Sequence, residues 1–315
     1  MTRRAQRSGR CEGAEGARRS RPHAAAPLAL AAALVAVAAT ASAAPAQEFH
    51  GRGTDGANYP FVPTPPEVVA EMLEMADVSG QDTVYDLGSG DGRIVVTAAS
   101  RYGAAGLGVE LDSGLVAEAR QRAAREGVED RIRMVRGDLF EVDLSPATVV
   151  TLYLLPRTMS KLEPMLFRQL RPGARVVAHD FDMEEWAADS VMQTPGGLGG
   201  HATLYLWRVP ARVGGTWELS VSGAPTGETL RLRIDQKYDE LRATVTRPGG
   251  LRVENARVSG DSVQFELASD PADGGGTATL TGTVSGSRME GRAAGGAWSG
   301  RRVAASDSSL TGWEP

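Results

Sequence analysis

"DTVYDLGSGDGRIVVTAASRYGAAGLGVEL", residues 82–111, reads as strand, glycine turn, helix and strand in unbroken succession. "DTVYDLG" is a short apolar strand that runs into Gly88, Gly90 and Gly92. "RIVVTAASRYG" is a helix stopped by Gly103, and "AAGLGVEL" is a second apolar strand. Strand, crossover helix and strand make parallel neighbours, and such crossovers are right-handed.

The alternation continues downstream. "DSGLVAEARQRAAREG" (112–127) is a helix with Asp112 at its cap, Leu115, Val116, Ala119 and Ala123 on one face, and Gly127 past its end. "RIRMVRGD" (131–138) and "ATVVTLYL" (147–154) are strands. "RTMSKLEPMLFRQL" (157–170) is a helix carrying Pro164 and closed by Pro172-Gly173, and "ARVVAHDF" (174–181) is a fifth strand. "SVMQT" and "ATLYLWRV" pair as a hairpin across the glycines of 196–200. Upstream, "TPPEVVAEMLEMADV" (64–78) is a helix with Thr64 as candidate cap. The fold class is therefore α/β, a Rossmann-like doubly wound sheet.

After Pro210 the texture changes. "TLRLRIDQ" and "SVQFEL" alternate apolar with polar residues, and similar runs recur about every ten residues, divided by Gly-Gly, Ser-Gly and Pro-Gly. That is an antiparallel all-β domain, a one-side-buried sheet or small barrel. "VSGDSVQF" and "VSGSRMEG" hint at a repeated hairpin. The sequence thus divides into a leader (1–46), a polar linker (47–60), the α/β domain (61–209), the small β domain (213–304) and a tail (305–315).

The leader carries seven arginines against Glu12 and Glu15, then 21 uncharged residues from Ala24 to Ala44, then small-residue sites around Ala43 and Ala46. Basic, apolar and small in that order predicts an export signal, and the length also admits a membrane anchor. The expected location is exported or membrane-anchored, with the leader meeting the membrane at least during export. Removing it takes the net charge from −5 to about −10, which argues against nucleic acid as a partner. The one cysteine, Cys11, lies in the leader, so the remainder has no disulfide or thiolate metal site.

Ligands of open α/β sheets bind beyond the carboxyl ends of the strands. Gly88, Ser89, Gly90 and Gly92 sit at the first such end, and Arg93 stands where a dinucleotide fingerprint wants its third glycine. Asp86 precedes the turn; a carboxylate there repels a pyrophosphate and pairs with an ammonium. Glu110 ends the second strand, in place for ribose hydroxyls, and Asp138 with Leu139 ends the third, in place for an adenine amino group and ring. Glycine turn, ribose acid and adenine acid at successive strand ends describe a nucleoside with a cationic amino-acid tail, S-adenosylmethionine (SAM). A carboxylate at a strand end is commonly a solvated cap, so the reading rests on the three in register.

The sequence resembles the seven-strand, class I SAM-dependent methyltransferases, and more narrowly the small protein-lysine methyltransferases related to the mitochondrial enzyme acting on the c protein of the ATP synthase. "YPFVPTPPEVVAEML" (59–73), "VYDLGSGDGRIVVTAA" (84–99), "GVEL" (108–111), "GDLFEVDLSPATVVTLYLLP" (137–156) and "RPGARVVAHDF" (171–181) carry it. The resemblance implies that Thr64 helps hold the methionine end, that Asp86 to Gly92 cradle SAM, that Glu110 takes the ribose and that Asp138 with Leu139 takes the adenine. It places the acceptor pocket at "TLYLLP", where many relatives carry an Asn-Pro-Pro-Tyr turn; the missing amide argues against nucleobase and glutamine acceptors. Tyr153 is the candidate to orient an acceptor amine, and Asp180 to accept its proton or position it. His179 reads as a strand residue hydrogen-bonded locally, since a single histidine makes no metal site.

The expected activity is N-methyl transfer, on protein lysine, with a substrate that can be membrane-associated. Two other readings stay open at this level. One is an exported, non-enzymatic protein with a Rossmann-like scaffold and a β interaction domain; the other is a methyltransferase of a small-molecule or envelope acceptor. An NAD-dependent oxidoreductase is disfavoured by Arg93.

Overall fold

The computed structural model describes residues 61–222, 229–269 and 275–305. The leader, the linker before Phe61 and the tail beyond Ala305 lie outside these residues, as do their expected roles.

The first half is a seven-strand sheet. Its strands are β1 (Thr83–Leu87), β2 (Ala105–Glu110), β3 (Ile132–Arg136), β4 (Val149–Leu152), β5 (Arg175–His179), β6 (Ser190–Pro195) and β7 (His201–Arg208). They lie in the order β3-β2-β1-β4-β5-β7-β6, with β1 to β5 parallel and the β6–β7 hairpin antiparallel. The order reverses at β1, so the β1–β4 edge is the switch point where ligands bind such sheets.

The helices are α1 (Pro66–Met75), α2 (Arg93–Tyr102), α3 (Ser113–Glu126) and α4 (Pro156–Gln169). Strand side chains alternate between faces, and that period divides the core in two. Val84, Val149, Val177, Leu204 and Leu206 pack under Val68, Met72 and Leu73 of α1 and Ile94 of α2. Leu87, Val150, Leu152, Val176 and Ala178 pack under Leu162, Leu166 and Phe167 of α4. Asp86, Thr151 and His179 fall on the α1 face by the same period, all three buried. Asp112 caps α3 as expected, accepting from Gly114 and Leu115. Thr64 does not cap α1: Pro65 holds the cap position with no side-chain bond, and the Thr64 hydroxyl turns to His179 instead.

The second half is a closed eight-strand antiparallel barrel, so the barrel alternative of the sequence reading holds. Its strands are β8 (Gly215–Val221), β9 (Leu230–Lys237), β10 (Glu240–Arg247), β11 (Leu251–Ser259), β12 (Ser262–Ser269), β13 (Thr277–Ser285), β14 (Arg288–Ala293) and β15 (Gly296–Ala305). Each pairs with the next, and β15 returns to pair with β8. Trp217, Leu232, Ile234, Phe265, Leu280, Met289 and Trp298 fill the interior. Gly282 and Gly291 face each other across β13 and β14 because the Trp298 indole crosses over them; a Cβ on Gly291 would lie 1.9 Å from Thr281 O. The two "VSG" phrases are hairpin turns, with Gly260 and Gly286 at φ of 54° and 60°.

Barrel and sheet share an aromatic joint. Tyr238, between β9 and β10, stacks on Trp186 at 5.3 Å and 1°, and Phe167 of α4 meets both edge-on. Arg212 donates to the carbonyls of Phe167 (3.0 Å) and Leu170 (3.2 Å), satisfying the carboxyl end of α4. Glu163 is buried in this joint and accepts from the Glu185 backbone; burial, with Glu185 and Glu184 nearby, pushes its pKa up to about 7.

Candidate functional site

The site is built on the carboxyl ends of β1, β2, β4 and β5. Gly88, Gly90 and Gly92 take φ of 80°, 52° and 74°, a left-handed path that side chains resist. The turn is tied back to β2: Gly88 and Ser89 donate to Val109 O, and Gly90 N donates to Glu110 Oε2 at 2.9 Å. The other Glu110 oxygen accepts from Asp112 N at 3.0 Å. A Cβ on Gly90 would lie 2.2 Å from Phe61 Cε2, so the aromatic ring of the N-terminal segment lies against the turn.

Under the turn, Asp91 is buried and holds two arginines. Arg93 meets it through Nε (2.8 Å) and Nη2 (2.6 Å), and Arg122 through Nη2 (2.6 Å). Burial opposes ionisation of Asp91, but the hydrogen bonds and charge of Arg93 and the charge of Arg122 outweigh it and hold the carboxyl below its ordinary range. Arg93 also donates to Thr64 O at 2.8 Å, joining the glycine turn to the start of α1. The residue that spoils a dinucleotide fingerprint thus braces the turn.

Asp86 is 2% exposed. Thr151 donates to its Oδ1 at 2.7 Å, while Oδ2 is buried without a hydrogen-bond partner. Burial raises its pKa to about 7 against the Thr151 bond, with the negative charges of Asp91 and Glu110 adding to the rise. Such a group ionises fully only beside a cation. An ammonium is that cation, so the donor set fits the amino-acid end of SAM.

Asp138 caps a 3-10 turn over Leu139–Glu141, its Oδ1 accepting from Phe140 N at 2.9 Å, and Leu139 is half-buried against the α4-side core. In the sheet order β3-β2-β1, Asp138, Glu110 and Asp86 mark three adjacent strands at their carboxyl ends.

Beyond β4 and β5, Tyr153, His179 and Asp180 come together. The Tyr153 and His179 rings lie 3.9 Å apart, and His179 Nε2 lies 3.4 Å from Asp180 Oδ2. Burial raises the Tyr153 phenol, and the Asp180 charge adds to the rise. An open cleft of about 560 Å³ lies at the start of α4, lined by Pro156, Arg157, Ser160, Lys161, Asp182 and Glu184. Among the described residues, no group of three or more His, Cys, Asp or Glu could hold a metal ion.

Thr64, placed at the methionine end by resemblance, joins this second cluster through His179 Nδ1 at 3.2 Å. The local reading of His179 holds for one nitrogen only: Nε2 faces the adjacent Asp180, while Nδ1 meets a residue 115 positions distant, because the period of β5 turns the ring towards the segment before α1. Thr151 and Asp91 fall inside the quoted stretches "TLYLLP" and Asp86 to Gly92, but the sequence assigns neither a role of its own. The one signal for Thr151 is a hydroxyl in an otherwise apolar strand, on the same face as Asp86.

The ANTKMT methyltransferase domain model matches residues 86–190. The chain is 45% identical over 149 residues to the protein-lysine N-methyltransferase of Saccharolobus islandicus, across 47% of this chain and 92% of that protein. It is 38% identical over 109 residues to the adenine nucleotide translocase lysine N-methyltransferase of Mus musculus, across 35% of this chain and 48% of that protein. Among solved structures, an RNA methyltransferase from Salinibacter ruber in complex with S-adenosyl-L-homocysteine is 55% identical, across 47% of this chain and 93% of that chain, with a TM-score of 0.44.

Proposed function

The chain belongs to the SAM-dependent methyltransferase family that includes the protein-lysine N-methyltransferases, and from that premise we propose that it methylates the side-chain amine of lysine in a protein. The observation that carries the acceptor class is the grouping of Tyr153 and Asp180 about the His179 ring, beyond the ends of β4 and β5. A phenol and a carboxylate held together in this way suit an amine.

When bound, SAM supplies a methyl group activated by its sulfonium. Asp86 would take its ammonium, the Gly88–Gly92 backbone would lie along its amino-acid end, and Glu110 and Asp138 would take the ribose and adenine. The protein's work on the acceptor is alignment and removal of one proton. A lysine amine of solution pKa about 10.4 attacks only when neutral. Loss of water beside the half-buried Tyr153 would lower its hold on the proton, the Asp180 carboxylate would accept that proton, and Tyr153 Oη would orient the lone pair.

The experiment is transfer from tritiated-methyl SAM to soluble and membrane fractions, followed by acid hydrolysis. Label in methyl-lysine is the expected result, with Tyr153→Phe lowering the rate about tenfold and Asp180→Asn about a hundredfold. Label recovered in RNA, lipid or small molecules instead overturns the reading.

We propose further that the leader carries the chain to a membrane, on the strength of its arginines and 21 uncharged residues. Protease accessibility of the full chain in intact and permeabilised cells tests this; a chain recovered wholly in the soluble interior overturns it.

A further inference from the structure

His179 closes β5 with its side chain on the α1 face of the sheet, 1% exposed. Three groups surround the ring. Thr64 Oγ1 lies 3.2 Å from Nδ1, and Thr64 is itself buried. Asp180 Oδ2 lies 3.4 Å from Nε2, a nitrogen with no hydrogen bond of normal geometry. Tyr153 covers the ring at 3.9 Å and 31°.

Asp180 is held in an unusual way. Its φ of 63° is a left-handed conformation that a residue with a Cβ adopts at a cost. Two bonds to β7 maintain it: Asp180 N donates to Thr203 O at 2.7 Å, and Thr203 N donates to Asp180 Oδ1 at 3.0 Å. Oδ1 is thereby committed to the sheet, and Oδ2 is left facing the imidazole.

A neutral imidazole has one proton and two places for it. A carboxylate accepts only, whereas a threonine hydroxyl accepts or donates. The proton therefore belongs on Nε2, towards Asp180, and Nδ1 accepts from Thr64. Burial lowers the imidazole pKa, with Asp180 opposing, which favours the neutral ring. The titratable groups against the ring are Asp180 and Tyr153; Tyr205 of β7 feels the Asp180 charge, and Arg93, paired with Asp91, touches this cluster at the Thr64 carbonyl.

We infer that His179 is a positioning residue of the transfer site: a neutral imidazole that steadies the Asp180 carboxylate through Nε2 and the Thr64 hydroxyl through Nδ1. It links the side of the site nearest the glycine turn to the side nearest the acceptor. The inference rests on the reading of Asp180 as the group that meets the acceptor amine, and its test separates the two.

The first arm needs no methyl transfer. Long-range ¹⁵N–¹H spectra of the full chain, which has four histidines, identify His179 by the signal lost in His179→Gln. The expected ring is neutral at pH 6.5 and protonated on Nε2, and in Asp180→Asn it titrates at still lower pH. An imidazolium at pH 6.5, a proton on Nδ1, or a titration indifferent to Asp180→Asn overturns the inference.

The second arm measures transfer from tritiated-methyl SAM to poly-L-lysine across pH. His179→Phe is expected to lower kcat about tenfold and to move the acid limb of the profile. His179→Gln, which keeps a donor near the Nε2 position, is expected to recover most of the rate. Equal loss in both variants, or an unmoved profile in His179→Phe, overturns the inference. A wild-type chain that transfers no methyl to any lysine sinks the acceptor reading, and the spectra still decide the state of the ring.

Discussion

Thr151 Oγ1 donates to Asp86 Oδ1 at 2.7 Å across the β1–β4 pair, and Asp86 Oδ2 is left buried with no hydrogen-bond partner. One oxygen is satisfied by the sheet and the other is held for a cation, in a carboxyl whose pKa is raised to about 7.

Binding of SAM should therefore release a proton below pH 7, because the ammonium pairs with the ionised carboxylate. Calorimetry in two buffers of different ionisation enthalpy measures it: about one proton released at pH 6, falling towards zero at pH 8. Asp86→Asn should weaken SAM binding at least a hundredfold. Binding without proton release at pH 6 would count against Asp86 as the ammonium partner.

Without ligand, the same carboxyl and Glu163 work against stability. Both have folded-state pKa values near 7, above those of the unfolded chain, so the folded state holds protons that the unfolded state gives up between about pH 4 and 7. Their destabilisation is complete above pH 7 and vanishes below the unfolded value. His179, lowered from its ordinary value, acts with the opposite sign as pH falls below that value, so the variants rather than the whole curve make the test. Asp86→Asn and Glu163→Gln should each raise Tm by several degrees at pH 8 and by little at pH 5. Equal gains at both pH values would refute the assignment.

Gly90→Ala places a methyl 2.2 Å from the Phe61 ring and imposes φ of 52° on a residue with a Cβ. SAM affinity should fall at least tenfold in titrations followed by intrinsic fluorescence. Phe61→Ala added to it should restore only part of the loss, since it relieves the clash and leaves the backbone cost.

Much of the sheet was legible because apolar runs, glycine stops and caps agree locally: Asp112 caps α3, and Gly103 and Gly127 end α2 and α3 in the left-handed conformation. The placing of Asp86, Glu110 and Asp138 at three successive strand ends followed from the strand-helix alternation, and the sheet order makes those strands adjacent. The contacts that complete the site were not legible. Thr64 reaches His179 across 115 residues, and Arg122 reaches Asp91 across 31, distances over which no local pattern speaks. The closure of the barrel was likewise hidden, since alternation in eight strands suits an open sheet as well as a ring.

The aromatic joint gives a further test. Trp186→Ala should cost about 3–5 kcal/mol in denaturant unfolding, as large-to-small changes at a buried tryptophan do. Paired with Tyr238→Ala it should show a coupling of about 0.5–1.5 kcal/mol, since each ring stacks on the other. Additive losses would mean that the stack contributes no more than burial.

Gly291→Ala aims at the barrel alone. Its methyl would lie 1.9 Å from the Thr281 carbonyl and crowd the Trp298 indole. A loss of about 2–4 kcal/mol is expected, seen as a shifted barrel transition with SAM affinity unchanged. An unaltered melting curve would show that β13 and β14 can part without cost.

The pairing of β15 with β8 has a consequence for synthesis. A chain emerging from the ribosome completes α1 through β7 as a contiguous run, and every neighbour in that sheet is available once Arg208 has appeared. β8 follows at once, yet one of its edges must wait until Gly296–Ala305 is made. Through that interval the nascent barrel carries two open edges, at β8 and at the newest strand, and each is a template for a neighbouring chain. The vulnerable interval for this protein lies between the making of β8 and the making of β15, when the folded sheet already tethers an unfinished ring.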